Sequence, residues 1–160
     1  MGTLIVTGDS IYCTMAASAP NVPVASVAAV PAPASKIIIA NPQVGTTQKP
    51  TANIYDCIPG TNIVPFVACK SPGNPTAVAA TATLTAAAAG VPTPGTGACQ
   101  YAPMLGTWVP GCPTLMVRGA PAVNNTCTTN CIWGGTIGFQ PLPTAIPNPP
   151  PAALPTIQSC

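Results

Sequence analysis

Proline restricts the fold of this chain more than any other residue does. The 160-residue sequence contains 23 prolines, and each one removes a backbone N–H donor and fixes φ at about −65°. Between residues 17 and 33, prolines interrupt a run of Ala, Val and Ser, so we expect extended edge segments or a wrapping loop there. The last 20 residues are also rich in proline, which predicts an extended, polyproline-like tail from Pro141.

The segments between these proline-rich stretches predict a mainly β fold made of short strands. Clusters of β-branched and aromatic residues bounded by Gly, Asn, Asp and Pro are typical of strands. Such clusters occupy residues 3–13, 35–40, 52–55, 114–118 and 131–139, and a final strand pair is expected around the last of them. The first cluster contains a Gly-Asp turn and is interpreted as a strand pair. One helix is predicted at about residues 75–89, because Asn74 can cap it, a proline begins it and Gly90 can end it.

The scarcity of charge excludes most chemistry. The chain has no His, and its only charged residues are Asp9, Lys36, Lys49, Asp56, Lys70 and Arg118. General acid–base catalysis needs groups that titrate near neutral pH, and two isolated aspartates cannot supply them. Four scattered cations cannot form the basic stripe that releases counterions from nucleic acid. We therefore expect neither an enzyme nor a nucleic-acid-binding protein.

The chain is nevertheless expected to fold as one domain. Apolar residues make up 48% of the sequence, which is enough for a single modest core, and Trp108 and Trp133 are expected to anchor it. No segment has the roughly 18–20 strongly apolar residues of a membrane-spanning helix, and the first residues lack the pattern of a secretory signal. We expect a domain over residues 1–140, a tail over residues 141–160, and synthesis in the cytoplasm.

Cysteine is the second prominent residue type. It occupies positions 13, 57, 69, 99, 112, 127, 131 and 160. In a chain made in a reducing cytosol, such cysteines favour thiolate metal ligands over disulfides. A weak echo relates residues 11–13 to residues 54–57, and Cys127 and Cys131 form a third cluster. Three cysteine corners predict a pseudo-threefold structure, in which a metal adds the stability that a narrow core lacks.

Several motifs together resemble a known family. The strongest block runs from Asp56 through Cys69 to Pro75 and leads into the Ala- and Thr-rich helix. Further matching positions are Thr93, Pro94, Cys99, Trp108, Pro110, Gly111, Gly119, Pro121, Ala122, Cys131, Trp133, Gly134 and Gly135. In order and spacing they resemble the PAAR-like tip proteins that cap the spike of type VI secretion systems and related extracellular contractile injection particles. The resemblance covers roughly residues 5–139.

This resemblance implies a fold and a metal site. The family looks like a small conical, three-sided β structure with pseudo-threefold symmetry, which binds zinc near its apex through His and Cys. Carried over residue by residue, the pattern assigns the ligands to Cys13, Cys69, Cys99 and Cys131. Because this chain has no His, a four-thiolate tetrahedral site is implied. Such a site is closed, so the zinc is expected to be structural, and its loss should unfold the tip.

The other cysteines leave alternatives open. Cys127 lies four residues before Cys131 and could replace one of the four ligands. Cys57, Cys112, Cys127 and Cys160 are otherwise expected to be small buried residues or free thiols. A disulfide network is the rival explanation for all eight.

The resemblance also implies a mechanical function. A protein of this family would bind a trimeric, VgrG-like spike protein through the base of the cone and sharpen it for membrane puncture. Other expected contacts are cargo or baseplate components and, transiently, the target membrane. The particle would act outside the cell that makes it. The tail is expected to cover the cone or to contact cargo or the spike, since it is too short for a toxin domain.

Two rival functions remain at this stage. A secreted, disulfide-rich surface or adhesin-like module would have bonded cysteines and no metal, but the chain shows no export signal. An enzyme with a catalytic cysteine would need a His to form the thiolate pair, and the sequence has none.

Overall fold

The computed structural model describes residues 2–28, 34–40, 45–46 and 49–140. It is mainly β, as the sequence predicts, and its strands are short and antiparallel. The strands in the described residues are β1 (Ser10–Cys13), β2 (Ala16–Ala17), β3 (Ser35–Lys36), β4 (Gly45–Thr46), β5 (Lys49–Pro50), β6 (Ala68–Cys69), β7 (Gly97–Ala98), β8 (Cys112–Val117), β9 (Ala120–Ala122), β10 (Thr128–Asn130) and β11 (Thr136–Phe139). The helices are α1 (Val24–Val27) and α2 (Pro75–Ala87).

Three extended segments far apart in the sequence pair with one another in a closed ring, which we call the junction. The segments are residues 4–6, 51–53 and 122–124. At the centre of the ring, Ala52 N donates to Ile5 O at 2.9 Å, Val123 N donates to Ala52 O at 3.1 Å, and Ile5 N donates to Val123 O at 3.1 Å. All three residues are buried. Each segment therefore pairs with both others.

The same ring has an outer set of hydrogen bonds, in which donors and acceptors follow one another in the opposite direction around the ring. Thr7 N donates to Pro50 O at 3.0 Å, Ile54 N donates to Pro121 O at 3.0 Å, and Asn125 N donates to Thr3 O at 3.0 Å. In each case the residue after one segment bonds to the residue before the next. The junction thus repeats one pairing pattern three times.

Each junction segment ends in the same kind of turn. The backbone N–H groups of Asp9, Asp56 and Cys127 donate to the carbonyl oxygen three residues earlier, at 3.0–3.2 Å. The side chains of these three residues accept from the N–H of that earlier residue, at 2.9, 2.8 and 3.5 Å respectively. Asp9, Asp56 and Cys127 are therefore equivalent positions. The repeat in the structure is offset from the echo of residues 11–13 with 54–57 that the sequence indicates.

Two sheets carry the segments that follow the junction. The larger has the strand order β10-β11-β1-β3, and the smaller has the order β2-β6-β7. The hairpin of β10 and β11 confirms the strand pair predicted near the end of the domain. The predicted pairing within residues 3–13 is wrong. The turn forms, but β1 pairs with β11 and β3, while residues 4–6 belong to the junction.

Helix α2 forms where the sequence predicts it. The Asn74 side chain accepts from Thr76 N at 3.1 Å, and Pro75 occupies the first helical position. The helix ends at Ala87, two residues earlier than expected, and Gly90 in the left-handed region donates its N–H to Thr85 O at 2.9 Å. In the part of the chain that the structure describes, no helix is long and apolar enough to cross a membrane.

The core is centred on Trp108, which is 1% exposed. Its ring centroid lies 4.5 Å from that of Phe139, and its Nε1 donates to Asp56 O at 2.9 Å. Isoleucines from several segments belong to the same buried cluster; they include Ile5, Ile11, Ile37, Ile63 and Ile137. Trp108 is thus the core anchor that the sequence predicts. Trp133 is not, because it is only partly buried.

Two further expectations meet the structure differently. The proline-rich stretch at residues 17–33 contains the single-turn helix α1, which begins directly after Pro23, where a missing N–H donor costs nothing. The prediction of extended edge segments or a wrapping loop did not include this short helix, and residues 29–33 lie outside the described residues. The predicted tail from Pro141, with Cys160, lies outside the described residues.

Candidate metal centre

Four cysteines separated by up to 118 positions line one small cavity. They are Cys13, Cys69, Cys99 and Cys131, the four ligands that the resemblance assigns. The cavity has a volume of about 10 Å³, close to the roughly 10–15 Å³ that one water molecule needs. It has room for a single ion and none for an organic ligand or a metal cluster.

The smaller sheet brings two of the cysteines together. Cys69 ends β6 and pairs with Ala16 of β2 on one side and Gly97 of β7 on the other. Cys99 follows directly after β7. Cys13 ends β1, three residues before Ala16, so the turn between β1 and β2 places it beside the same sheet.

The fourth cysteine is held by a tight turn between β10 and β11. Cys131 N donates to Gly135 O at 2.8 Å, and Gly134 N donates to Cys131 O at 2.9 Å. Gly134 has a φ of 82°, which favours glycine. Gly135 lies so close to the cavity that an added Cβ would stand 2.9 Å from Cys13 Sγ. The turn thus fits against the sulfur of another cysteine only because residue 135 has no side chain.

Side-chain hydrogen bonds fix the cysteine segments relative to one another. The Ser71 hydroxyl, two residues after Cys69, donates to Trp133 O. Trp133 Nε1 in turn donates to Gln100 O at 2.6 Å. These two bonds connect the segments of Cys69, Cys131 and Cys99 in a chain.

Burial dominates the electrostatics of the cavity. It raises the pKa of Cys13 and raises the pKa of Cys99 to about 11, and the neighbouring cysteines add to both shifts. Backbone hydrogen bonds act in the other direction: those from Met15 and Ala16 lower the pKa of Cys13, and one from Phe66 lowers that of Cys99. Ser71 N also donates to Cys69 Sγ, at 3.4 Å. Backbone donors therefore already point at three of the four sulfurs.

This donor set fits a soft metal ion. Four sulfurs with no competing oxygen or nitrogen ligand are the environment of structural zinc and of other thiophilic ions. The described residues contain no group of three or more Cys or Asp side chains already spaced as a metal site. The four cysteines line a common cavity, but they are not spaced as a metal-binding group.

Comparison with known proteins gives a family. A family model described as a domain of unknown function, DUF4280, matches residues 5–141. The chain belongs to this family. The match begins in the junction and includes all four cavity cysteines. No curated protein and no solved structure matches the sequence at a significant level.

The remaining described cysteines of the DUF4280 domain lie outside the cavity. Cys57 and Cys127 are buried free thiols, and burial raises the pKa of each. Cys127 is occupied in its turn, where Sγ accepts from Asn124 N at 3.5 Å and donates to Asn124 Oδ1 at 3.2 Å. Cys112 is fully buried, which is one of the two alternatives expected for it, and it is disulfide-bonded, so it is not a free thiol.

Sequence reasoning missed the shell around the four cysteines in the DUF4280 domain. The cavity is also lined by Met15, Phe66, Tyr101, Trp133, Gly135 and Ile137. Met15, Tyr101 and Trp133 each lie two positions after a cavity cysteine. Met15 and Trp133 lie in turns and not in strands, so the shared spacing is the only signal that the sequence offers for them.

Proposed function

We propose that this protein is a PAAR-like spike tip of a contractile injection system, held together by a structural zinc ion. In this role it caps a trimeric, VgrG-like spike and sharpens it for membrane puncture. The observation that carries the proposal is that Cys13, Cys69, Cys99 and Cys131, distant in sequence, line one cavity of single-ion size.

The character of the cavity supports zinc in a structural role. Four thiolates complete a tetrahedral coordination sphere, and a complete sphere leaves no position for a reactive water. The ion would connect β1, β6, the segment after β7 and the turn after β10. Because these elements are distant in sequence, a bound metal would supply a large part of the stability of their arrangement.

The junction supports a three-sided tip. Its three segments repeat the same hydrogen bonds in cyclic order and end in equivalent turns. A pseudo-threefold arrangement of one chain would present three similar faces to a partner with threefold symmetry, such as the end of a trimeric spike. The conical shape and the spike-binding base belong to this proposal.

The distribution of charge supports entry into a membrane. From Ser71 to Val117 and from Gly119 to Gln140 the chain carries no charged side chain. Each buried charge would oppose transfer into lipid by several kcal/mol, so an uncharged tip lowers the work of puncture.

The rival interpretation as a disulfide-rich surface module is less well supported. It requires paired cysteines, whereas six cysteines of the described residues are free thiols. They include all four that line the cavity.

The decisive experiment is metal analysis of full-length protein purified without chelator. Mass spectrometry and a free-thiol count should find about one zinc per chain, and Cys131→Ser should abolish stoichiometric binding. Cys57→Ser is the matched control, because Cys57 is a buried free thiol outside the cavity. Absence of metal together with paired cysteines would reject the tip and favour the disulfide module. Zinc-loaded protein should also bind a purified trimeric spike.

A further inference from the structure

Two buried hydroxyl groups near the cysteine cavity lack hydrogen-bond partners. Tyr101 Oη and Thr129 Oγ1 are both inaccessible to solvent, and neither makes a hydrogen bond of normal geometry. Thr129 is only 1% exposed. An unpaired buried hydroxyl costs about 1–3 kcal/mol, so such groups usually mark a missing water, ion or ligand.

The fold places both groups beside the cavity. Tyr101 lines it directly, two residues after Cys99. Thr129 pairs across the sheet with Ile137, and Ile137 pairs with Cys13. Residues opposite each other on neighbouring strands share one face of the sheet. The Thr129 hydroxyl therefore lies on the same face as the Cys13 sulfur.

The Tyr101 hydroxyl has a proton to donate at the cavity. A phenol is protonated at neutral pH. The Thr129 hydroxyl is a neighbour of the Tyr101 oxygen, but the two groups make no hydrogen bond of normal geometry. The Tyr101 proton is therefore free for another acceptor.

A four-thiolate site creates the acceptor. Four thiolates around a divalent ion carry a net charge of −2, and no Lys or Arg of the described residues lines the cavity. Buried negative charge has to be balanced by hydrogen-bond donors. The backbone supplies such donors to Cys13, Cys69 and Cys99. Tyr101 provides a side-chain donor at the same cavity.

We propose that Tyr101 is a positioning residue that donates its hydroxyl proton to a metal-bound thiolate, Cys13 or Cys131, and is itself oriented by Thr129. The proposal rests on the function proposed above, since it requires a metal in the cavity. It explains why the Tyr101 hydroxyl stays unpaired next to four thiols, since its acceptor is the thiolate form.

The first test compares Tyr101→Phe with Tyr55→Phe in full-length protein. Tyr55 is 60% exposed and does not line the cavity, so it controls for the loss of a phenol hydroxyl. Competition with a chromophoric zinc chelator should show about 10- to 100-fold weaker zinc binding for Tyr101→Phe and no change for Tyr55→Phe. Unchanged affinity of Tyr101→Phe would overturn the proposal.

A second readout separates this role from simple packing. In metal-free protein, Tyr101→Phe removes an unpaired buried hydroxyl, so its thermal midpoint should stay the same or rise. With Co²⁺ as probe, the sulfur-to-cobalt absorption band should shift to longer wavelength, because a sulfur that loses a donor holds its electrons less tightly. A packing defect would instead lower the midpoint in both states and leave the band in place.

Two further variants identify the partners. Thr129→Val should weaken zinc binding less than Tyr101→Phe, and the two changes should not be additive in the double variant. Cys57 is the competing acceptor, since it also raises the pKa of Tyr101. If the effect of Tyr101→Phe disappears in a Cys57→Ala background, the hydroxyl acts through Cys57 and the proposal is wrong. If the parent protein binds neither zinc nor cobalt, the proposed function fails as well.

Discussion

The junction and the cysteine cavity adjoin the same apolar core but are stabilised by different interactions. The junction buries Ile5, Ala52 and Val123 in a closed ring of backbone hydrogen bonds. The cavity assembles four free thiols, two of them with a raised pKa, and a phenol hydroxyl without a partner. Backbone hydrogen bonds and apolar side chains stabilise the junction, whereas the proposed metal ion would bind the four sulfurs of the cavity.

This difference indicates how a small β domain can contain a narrow, sulfur-lined region and remain stable. Burying thiols is nearly neutral, since a free cysteine behaves as a small apolar residue. Burying thiolates is not, and the raised pKa of Cys13 and Cys99 expresses that cost. We therefore expect the junction to be formed without metal and the cavity to depend on it. The predictions below test that division, from the largest expected effect to the smallest.

Metal removal should have the largest effect. Structural zinc sites contribute about 10–16 kcal/mol of apparent binding free energy. After chelation, the amide protons of Cys69 and Cys131 should lose more protection than those of Ile5 and Val123, as hydrogen-exchange mass spectrometry can measure. Equal loss in both regions would show that the junction has no stability of its own.

Substitution of Trp108, the core anchor, should lower the free energy of unfolding by the same amount with and without metal. Trp108→Ala removes a fully buried ring that contacts Phe139 and bonds to Asp56. We expect the free energy of unfolding to fall by about 3–5 kcal/mol in denaturant titrations. Leu105→Ala, at a side chain that is 63% exposed, should change it by less than about 0.5 kcal/mol. A Trp108→Ala effect confined to the metal-loaded form would contradict the division.

Two of the repeated turns provide a matched comparison that tests the ion pair between Asp56 and Arg118. Asp56 and Asp9 occupy equivalent positions, but only Asp56 also binds Arg118. Asp56→Asn keeps an acceptor for Asn53 N and loses the charge, so it should destabilise the fold by about 1.5–3 kcal/mol more than Asp9→Asn. Chemical denaturation of both variants measures the difference. Equal effects would mean that Arg118 adds nothing beyond the turn.

The smallest expected effect comes from a substitution beside the cavity that leaves all four cysteines unchanged. Gly135→Ala would place a methyl group 2.9 Å from Cys13 Sγ. The sulfur would have to shift away from its present position to make room. We expect zinc binding to weaken by about 1–3 kcal/mol, with little change in the metal-free protein. Gly73→Ala is the control, since its nearest contact would be an ordinary 3.7 Å. Unchanged zinc affinity of Gly135→Ala would show that Cys13 tolerates displacement.

The sequence predicts the helix ends and the turn of this fold, but it does not predict which strands pair. Asn74, Pro75 and Gly90 mark the ends of α2 because a cap depends on neighbouring residues. The turn at Gly8 is likewise readable from the sequence. The residues on either side of this turn pair with distant segments. Which segments pair depends on which side chains become buried together, and the pattern of residues 3–13 carries no information about residues 51–53 or 122–124.

The candidate site also has a part that could be predicted from the sequence and a part that could not. The cysteine spacings alone do not indicate which four thiols meet, because the ligands come from four separate elements. The family resemblance selected the four that line the cavity. The shell residue Tyr101 carried only a weak signal, its position two residues after Cys99. Its unpaired hydroxyl is a property of the packed structure and has no counterpart in the sequence.

The closed ring of the junction has a consequence for synthesis. Its first segment is complete after residue 6, but its last partner, residues 122–124, is made more than 100 residues later. At about 5–20 residues per second, the ribosome needs on the order of ten seconds to supply it. During that interval the first two segments expose unpaired backbone groups and apolar side chains that later become internal. A chain of this design should therefore depend on a chaperone more than its small size suggests.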